Sequence, residues 1–387
     1  KYSDRSQNDS QPQWGLLGLT IVLAAVGVFL RVLFRLPYFR QDLVLMRALA
    51  SLGLGTAAML GMYFLDVSRL VRHARALYIG TLVMTVPLLR FVYPTYSFSL
   101  VSALYPLAYV LWLYSFRGKG WKGLLLTILG GMPLAAVCCL IPSASGLFIL
   151  LFSGLAATLY AAGRDWFGVG RWKGAGAVLA VAFGLLAFLF LKGYLNSFLL
   201  RVMIALRPEL EKEHRGYMGW VLHMFWEDVP PLRSVGGEAA MPVNAGARIF
   251  GGGQELRPID FSHDFLPASM AVAWGWIPLA LLLAALTILL LWMLVKGLRQ
   301  SYLPGHFVVL AVGLTLGFQT LFSAALNFGF VLFSASLPLV VGNFQTVVDM
   351  ALIGLALSVF RGNSIAREGP GRPIPQRKRL RIKFEYQ

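Results

Sequence analysis

The chain has 387 residues, of which 58% are hydrophobic, with a mean hydropathy of +0.69 and a formal net charge of +17. This apolar content far exceeds what a soluble domain needs for its core, so the composition excludes a soluble protein and predicts a polytopic membrane protein. Positive charge of this size is explained by loop topology and contact with anionic membrane lipid, and it does not require nucleic acid as a partner.

Ten apolar stretches are long enough to cross the hydrocarbon core, which takes roughly 20 helical residues. They lie at residues 14–36, 44–65, 75–93, 97–115, 121–141, 144–163, 174–195, 266–295, 306–333 and 342–360. A lipid-exposed backbone must satisfy its hydrogen bonds internally, and the stretches lack the short alternating pattern of a barrel, so the predicted fold class is all-α. The stretch at 14–36 is too long for a signal-peptide core and is predicted to be a retained span.

Lys and Arg residues indicate the orientation of these spans. They cluster after spans two, four, six and eight and in the segment that follows span ten, and cytoplasmic loops carry such an excess. The sequence therefore predicts a cytoplasmic tail at 1–13, a single transmembrane domain at 14–360 and a basic cytoplasmic tail at 361–387. The exception is the first loop, which is surrounded by basic residues at helix ends that can extend to the headgroups; these are Arg31, Arg35, Arg40 and Arg47.

A long hydrophilic segment, residues 196–265, separates spans seven and eight and is predicted to lie outside the cytoplasm. It is far longer than a helix connection requires, and loops of this length are usually functional or disordered. Residues 198–206 have helical spacing of apolar side chains with Arg201 at one edge, which predicts an amphipathic helix at the membrane surface. Nucleotide-loop and zinc-binding motifs do not occur in the sequence, and the adjacent Cys138 and Cys139 are predicted to be core residues.

Several motifs resemble a known family. The stretch RVMIALRPELEKEHRGY at 201–217 resembles the R-V-M-x-x-L-x-P-E-…-G-Y stretch that follows the seventh span of SEDS proteins, the RodA/FtsW/SpoVE polymerases of bacterial cell-wall synthesis. HDF at 263–265 is similar to the H-T-D-F that opens their eighth span. Phe318-Gln319 with Asn327-x-Gly329 resembles their ninth span, and Leu337-Pro338 followed by GLALSVFR at 354–361 resembles the end of their tenth.

The resemblance implies a peptidoglycan glycosyltransferase of the bacterial cytoplasmic membrane, which polymerises a lipid-pyrophosphate-linked sugar such as lipid II beside a class B penicillin-binding protein. That reaction needs a carboxylate to accept a proton and cations to hold the leaving pyrophosphate. Asp264 matches the family's catalytic aspartate. The substrate-binding residues expected on that side are Lys192, Arg201, Arg207, Arg215, Tyr217, Arg248 and Arg257; among the cations, Arg201 alone carries a family match. No metal ligands are predicted, and the use of Mg²⁺ or Mn²⁺ stays open.

Other interpretations of the same residues remain. A carboxylate before an apolar run, as at Asp264, also caps an ordinary helix. Gln319 and Asn327 are predicted to hydrogen-bond other helices. Asp349 is placed deep in a span, where insertion scales assign a cost of about 2.5–3.5 kcal/mol, so it is expected to face a polar cavity or to pair with a basic residue, in a functional or a structural role.

The chain also departs from the family pattern. Ala103 and Pro106 stand where the family's P-S-E-x-x-K motif has Glu and Lys, and Val272 and Ala273 replace a pair of Glu residues. PSASG at 142–146 replaces P-D-L-G-T, and VGNFQT replaces S-Y-G-G-S-S. Three alternatives follow: a catalytically degenerate SEDS-like scaffold of a wall-synthesis complex, an O-antigen-ligase-like enzyme, and a lipid transporter.

Overall fold

The computed structural model describes residues 14–35, 41–65, 67–91, 94–140, 144–193, 195–212, 215–227, 229–232, 264–299, 303–340 and 343–365. These residues form fourteen α-helices and no strand: α1 (Trp14–Arg35), α2 (Gln41–Phe64), α3 (Val67–Arg72), α4 (Ala74–Phe91), α5 (Pro94–Tyr114), α6 (Gly120–Leu140), α7 (Ala144–Gly163), α8 (Arg171–Leu191), α9 (Asn196–Leu206), α10 (Tyr217–Glu227), α11 (Leu266–Trp274), α12 (Trp276–Leu298), α13 (Leu303–Asn327) and α14 (Phe344–Ile365). The predicted tail at 1–13 lies outside the described residues. The tail predicted at 361–387 begins later, because residues 361–365 continue α14, and its remainder lies outside the described residues.

The ten predicted spans all fall on helices. Within the described ranges, eight helices are long and apolar enough to cross a membrane, namely α1, α2, α6, α7, α8, α12, α13 and α14. The stretches predicted at 75–93 and 97–115 correspond to α4 and α5. The protein is therefore an all-α, polytopic membrane protein, as its composition predicts.

The core of the bundle is formed by α5, α7, α13 and α14, with α2 packed along α14 and α12 along α13. By contrast, α8 packs against α7 and leaves most of its large apolar side chains exposed, including Phe183, Phe188 and Leu191. A helix that is apolar on all sides and exposed in this way has the surface expected of a lipid-facing span.

The predicted eighth span, 266–295, is divided into two helices at Gly275. This residue has φ +98°, a conformation that glycine adopts without strain, and a Cβ at this position would overlap the carbonyl of Pro231. The first N–H groups of α12 are satisfied by that neighbouring chain, because Trp276 and Ile277 donate to the carbonyls of Pro230 and Pro231 at 3.2 and 3.1 Å. The stretch of the long segment that follows α10, residues 229–232, is thus attached to the break between α11 and α12.

The predicted ninth span, 306–333, extends past the end of the helix that forms it. Helix α13 ends at Asn327, and residues 328–340 follow an irregular course back into the protein. Ala335, Leu337 and Leu339 of this segment are almost fully buried. Irregular backbone is tolerated at membrane depth where protein surrounds it, and burial explains why the segment looks like a continued span in the sequence.

The predicted amphipathic helix after span seven is present as α9. Span seven ends at Leu191, and the chain resumes a helical course at Asn196. Ile204 and Ala205 on one side of α9 are buried, whereas Leu199, Met203 and Leu206 are exposed. A short 3₁₀ helix (Pro208–Glu211) and α10 follow, and these three elements form the described part of the segment between spans seven and eight.

Candidate functional site

Asp264 lies in the turn before α11, and two serine hydroxyls hold its carboxylate. Ser336 Oγ donates to Oδ1 at 2.6 Å, and Ser334 Oγ donates to Oδ2 at a longer 3.3 Å. Both serines belong to the irregular segment 328–340, so the departure from helical structure after Asn327 is what brings them to the carboxylate. The Asp264 side chain remains partly accessible.

The capping function that an aspartate would have at this position is performed by Asn327. The backbone N–H of Ala268 in the first turn of α11 donates to Asn327 Oδ1 at 3.0 Å, and Asn327 Nδ2 donates to the backbone carbonyl of Asp264 at 2.8 Å. The first turn of α11 makes no side-chain cap with its own preceding residue. The carboxylate of Asp264 is consequently directed to the serines and away from the helix N-terminus.

Asn327 also connects α10 to this end of the bundle. Asn327 is only 1% exposed. Its side-chain amide donates to the backbone carbonyls of Ser323 and Asp264, and its backbone carbonyl accepts from Trp226 Nε1 at 2.7 Å. The sequence prediction that Asn327 hydrogen-bonds another helix is confirmed. Asn327 thus ties together the end of α13, the start of α11 and the last turn of α10.

The segment that carries the serines is anchored on its other side by α7. The backbone N–H of Ser334 donates to Ser145 Oγ at 2.8 Å, and Ser145 is buried. Phe333 stacks on Phe322 of α13 with ring centroids 4.1 Å apart. Ser145 is part of the PSASG sequence that departs from the family pattern, so this altered motif supports the segment next to Asp264.

A cleft of about 320 Å³ lies between α9 and the same irregular segment. Its lining includes the predicted cations Arg201 and Arg215 together with Val331 and Leu332. Leu332 is two residues before Ser334, so one short stretch of chain forms a wall of the cleft and also holds the carboxylate of Asp264. Both arginines are exposed, and two guanidinium groups on one cleft suit a phosphate-bearing ligand, which arginine binds with paired hydrogen bonds.

Helix α10 packs between the cleft and the turn of Asp264. Val221 and Leu222 form a small buried cluster with Ala268 of α11, and Phe265, next to Asp264, packs against it together with Val331. Tyr217, a predicted substrate-binding residue, also lies in this cluster and is half-buried. The two parts of the site are therefore connected by apolar packing.

The remaining predicted cations are not among the residues that line the cleft. Lys192 is exposed at the end of α8, and Arg207 is exposed at the end of α9. Arg248 and Arg257 lie outside the described residues, as does His263 of the HDF motif. Of the predicted cations that the structure describes, it brings together Arg201 and Arg215. In the part of the chain that can be described, no three His, Cys, Asp or Glu side chains form a group that could hold a metal ion.

Asp349 in α14 is fully buried and has amide partners, in contrast to the basic residue or polar cavity predicted for it. Leu339 N–H donates to Oδ2 at 3.0 Å, Gln345 Nε2 donates to Oδ1 at 2.7 Å, and Gln319 of α13 is a further hydrogen-bond partner. Leu339 has φ +65°, a left-handed conformation that costs a non-glycine residue about 1–2 kcal/mol. The hydrogen bond between Gln319 of α13 and Asp349 joins α13 to α14, as the sequence predicts for Gln319.

Where the family motif has charged residues, α5 has none. Ala103 is 2% exposed and Pro106 is buried inside the helix. The buried side of α5 at this position is therefore apolar.

Sequence reasoning did not identify Ser334, Ser336 and Ser145. A signal for the first two exists, because the S-A-S sequence at 334–336 is polar within an otherwise apolar stretch and stands directly before Leu337-Pro338. A helix would direct residues two apart to different sides, whereas an extended chain directs them to the same side. Recognising the stretch as non-helical is what would reveal the pair.

No family model matches the chain, and no curated protein matches it. Solved structures do match. A chain from a structure on the coordination of polymerization and crosslinking by a peptidoglycan synthase complex is 21% identical with a TM-score of 0.66, covering 91% of this chain and 98% of that one. The rod shape determining protein RodA of Thermus thermophilus is 18% identical with a TM-score of 0.58, covering 91% and 97%; a point mutant of it gives 0.57. The chain therefore has the RodA fold, and its resemblance to the SEDS proteins is confirmed at the level of the fold.

Proposed function

We propose that the chain is a divergent SEDS glycosyltransferase of bacterial cell-wall synthesis, which joins sugars carried on a polyprenyl pyrophosphate such as lipid II. The observation that carries the proposal is the setting of Asp264. Its carboxylate is bound by Ser336 and Ser334 and not by a helix N-terminus, and the segment of those serines also lines the cleft of Arg201 and Arg215. The RodA fold over 91% of the chain supports it.

In the proposed reaction Asp264 is the general base. A carboxylate can accept about four hydrogen bonds, so the two serines leave lone pairs for an acceptor hydroxyl. The hydroxyl oxygen forms a bond to the anomeric carbon of the donor sugar while its proton passes to Asp264. The bond from that carbon to the pyrophosphate oxygen breaks, and the lipid pyrophosphate leaves with the electron pair. Arg201 and Arg215 stabilise the negative charge that develops on it.

The proposed location is the bacterial cytoplasmic membrane, with both termini in the cytoplasm and Asp264 at the outer surface. The distribution of Lys and Arg supports this orientation. A class B penicillin-binding protein with transpeptidase activity is the proposed partner. Support comes from the matched structure, which concerns a complex that couples polymerization with crosslinking.

The decisive experiment is polymerisation of purified lipid II by the full chain in liposomes, with product length measured on gels. Asp264→Asn should lower the rate by about 100-fold or more, because general bases contribute on the order of 10²–10⁴. Asp165→Asn is a matched control. Asp165 is an exposed aspartate at the α7–α8 turn whose Oδ1 accepts from Gly170 N–H at 2.7 Å, and asparagine can keep that bond. Wild-type polymerisation by Asp264→Asn would refute the proposal.

A non-catalytic scaffold is the second candidate, and the apolar Ala103 and Pro106 favour it. Complementation in the source organism distinguishes the two: an enzyme requires both Asp264 and Arg201, whereas a scaffold functions with Asp264→Ala and Arg201→Ala. Two other outcomes separate the remaining classes. A ligase-like enzyme would give a single transfer product, and a transporter would move lipid across sealed vesicles without forming a glycosidic bond.

A further inference from the structure

Asp349 is a buried acidic residue that the proposed reaction does not use. It lies in the first half of α14, 0% exposed, and its two carboxylate oxygens accept from Leu339 N–H and Gln345 Nε2. Gln319 of α13 is its partner on the neighbouring helix. The carboxylate therefore bonds to both helices that flank the irregular segment and to the segment itself.

Leu339 is held by both of its backbone polar groups. Its N–H donates to Asp349, and its carbonyl accepts from Thr346 Oγ1 at 3.3 Å. Its side chain is 0% exposed and its φ is +65°. A leucine keeps such a conformation only where its surroundings enforce it, and the described contacts that do so come from the beginning of α14.

The segment fixed at Leu339 is the one that presents hydroxyl groups to Asp264. Ser336 is three residues before Leu339, and its Oγ makes the shorter bond to the carboxylate, 2.6 Å. At its other end the segment is fixed by Ser145 through the N–H of Ser334. One anchor is therefore at Ser334 and the other is at Leu339, beyond Ser336. Asp349 supplies the anchor at Leu339.

We infer that Asp349 is a positioning residue, which acts through Leu339 to hold Ser334 and Ser336 against the carboxylate of Asp264. This rests on the proposed function in so far as Asp264 is the base of the reaction. Asp349 itself touches neither Asp264 nor the cleft in the described contacts. Its effect is on the geometry of the base.

Hydrogen exchange of the full chain in lipid nanodiscs tests the positioning without requiring activity. Asp349→Ala should speed exchange of peptides covering 330–340 by about tenfold, the change expected when a buried hydrogen bond of about 1.4 kcal/mol is lost. Asp349→Asn should stay close to wild type, because its Oδ1 can still accept from Leu339 and its amide can donate to Gln345 after that side chain turns over. Peptides from 307–316 of α13 should not change.

Ser358→Ala provides the matched control. Ser358 is another buried polar residue of α14, and its hydroxyl bonds only within the helix, to the carbonyl of Leu355 at 2.6 Å. This variant should leave exchange at 330–340 unchanged. Unchanged exchange in Asp349→Ala, or an increase spread equally over α13 and α14, would overturn the inference, since the second result indicates general loosening.

The activity arm uses the lipid II assay. Asp349→Ala should lower kcat about tenfold or more while the KM for lipid II changes less than about twofold, because the two cleft arginines lie outside the segment, on α9 and directly before α10, and Asp349→Asn should restore kcat. A normal kcat in Asp349→Ala would overturn the positioning role. A wild-type chain that makes no polymer, together with the expected exchange pattern, would refute the proposed function and leave the anchoring of the segment established.

Discussion

Asn327 performs the capping function that the position of Asp264 suggests for the aspartate. An aspartate before a helix is expected to cap it, and an asparagine in a span is expected to bond a neighbouring helix. In the structure the asparagine caps α11 through Oδ1, while the carboxylate binds Ser336. A carboxylate used as a cap would have its lone pairs directed to backbone N–H groups. Because Asn327 caps α11 instead, the charge of Asp264 is available for chemistry.

At the residue scale, the two cleft arginines give a prediction on donor binding. Arg201→Ala and Arg215→Ala should each raise the KM for lipid II about tenfold, because each removes a charge-assisted hydrogen bond worth roughly 1.5–3 kcal/mol. Arg207→Ala should change it less than about threefold, since Arg207 is exposed and is not among the residues that line the cleft. Steady-state kinetics on the three variants measures this. An effect of Arg207→Ala as large as the other two would contradict the assignment of the cleft.

At the element scale, the side-chain amide of Asn327 joins the start of α11 to the end of α13. Asn327→Leu keeps the number and branching of the side-chain heavy atoms, but it leaves the N–H of Ala268 and the carbonyl of Asp264 without their partner. Each unsatisfied buried group costs about 1–3 kcal/mol, so we expect the free energy of unfolding to fall by about 3 kcal/mol. Thermal unfolding in detergent measures the change as a lower midpoint.

The control for this variant is Leu321→Met. Leu321 is on the same helix and 58% exposed, and exposed substitutions usually change stability by less than about 0.5 kcal/mol. Equal midpoints for the two variants would show that the amide of Asn327 does not stabilise the junction.

The sequence alone predicts some of the elements and not others. Long apolar runs predict the spans, because bilayer thickness imposes length and composition directly. The break at Gly275 and the irregular segment 328–340 are hidden, since the stretches that contain them are mostly apolar, like the helices beside them. Their course depends on tertiary partners, namely Pro230 and Pro231 for the break and Asp349 for the segment. The role of Asp264 could be predicted from a family resemblance. Ser336 could be identified as its partner only once the non-helical course of the backbone was known.

At the scale of the whole molecule, the orientation of the spans is a prediction that surface labelling can check. Trp172 at the start of α8 is 90% exposed and Leu210 after α9 is 60% exposed, and the two are predicted to lie on opposite sides of the membrane. In a variant without Cys138 and Cys139, a membrane-impermeant maleimide should label Leu210→Cys on intact cells. Trp172→Cys should react only after the cells are opened. Labelling of Trp172→Cys on intact cells would reverse the proposed topology.

The attachment of Pro230 and Pro231 at Gly275 has a consequence for evolution of the long segment. The chain enters residues 233–263 beside the end of α11 and re-enters the bundle at Asp264, beside the start of the same helix. With nine residues and a rise of about 1.5 Å each, α11 spaces the entry and exit by roughly 13 Å whatever the intervening length. Insertions and deletions between 233 and 263 should therefore be tolerated among related chains without shifting Asp264.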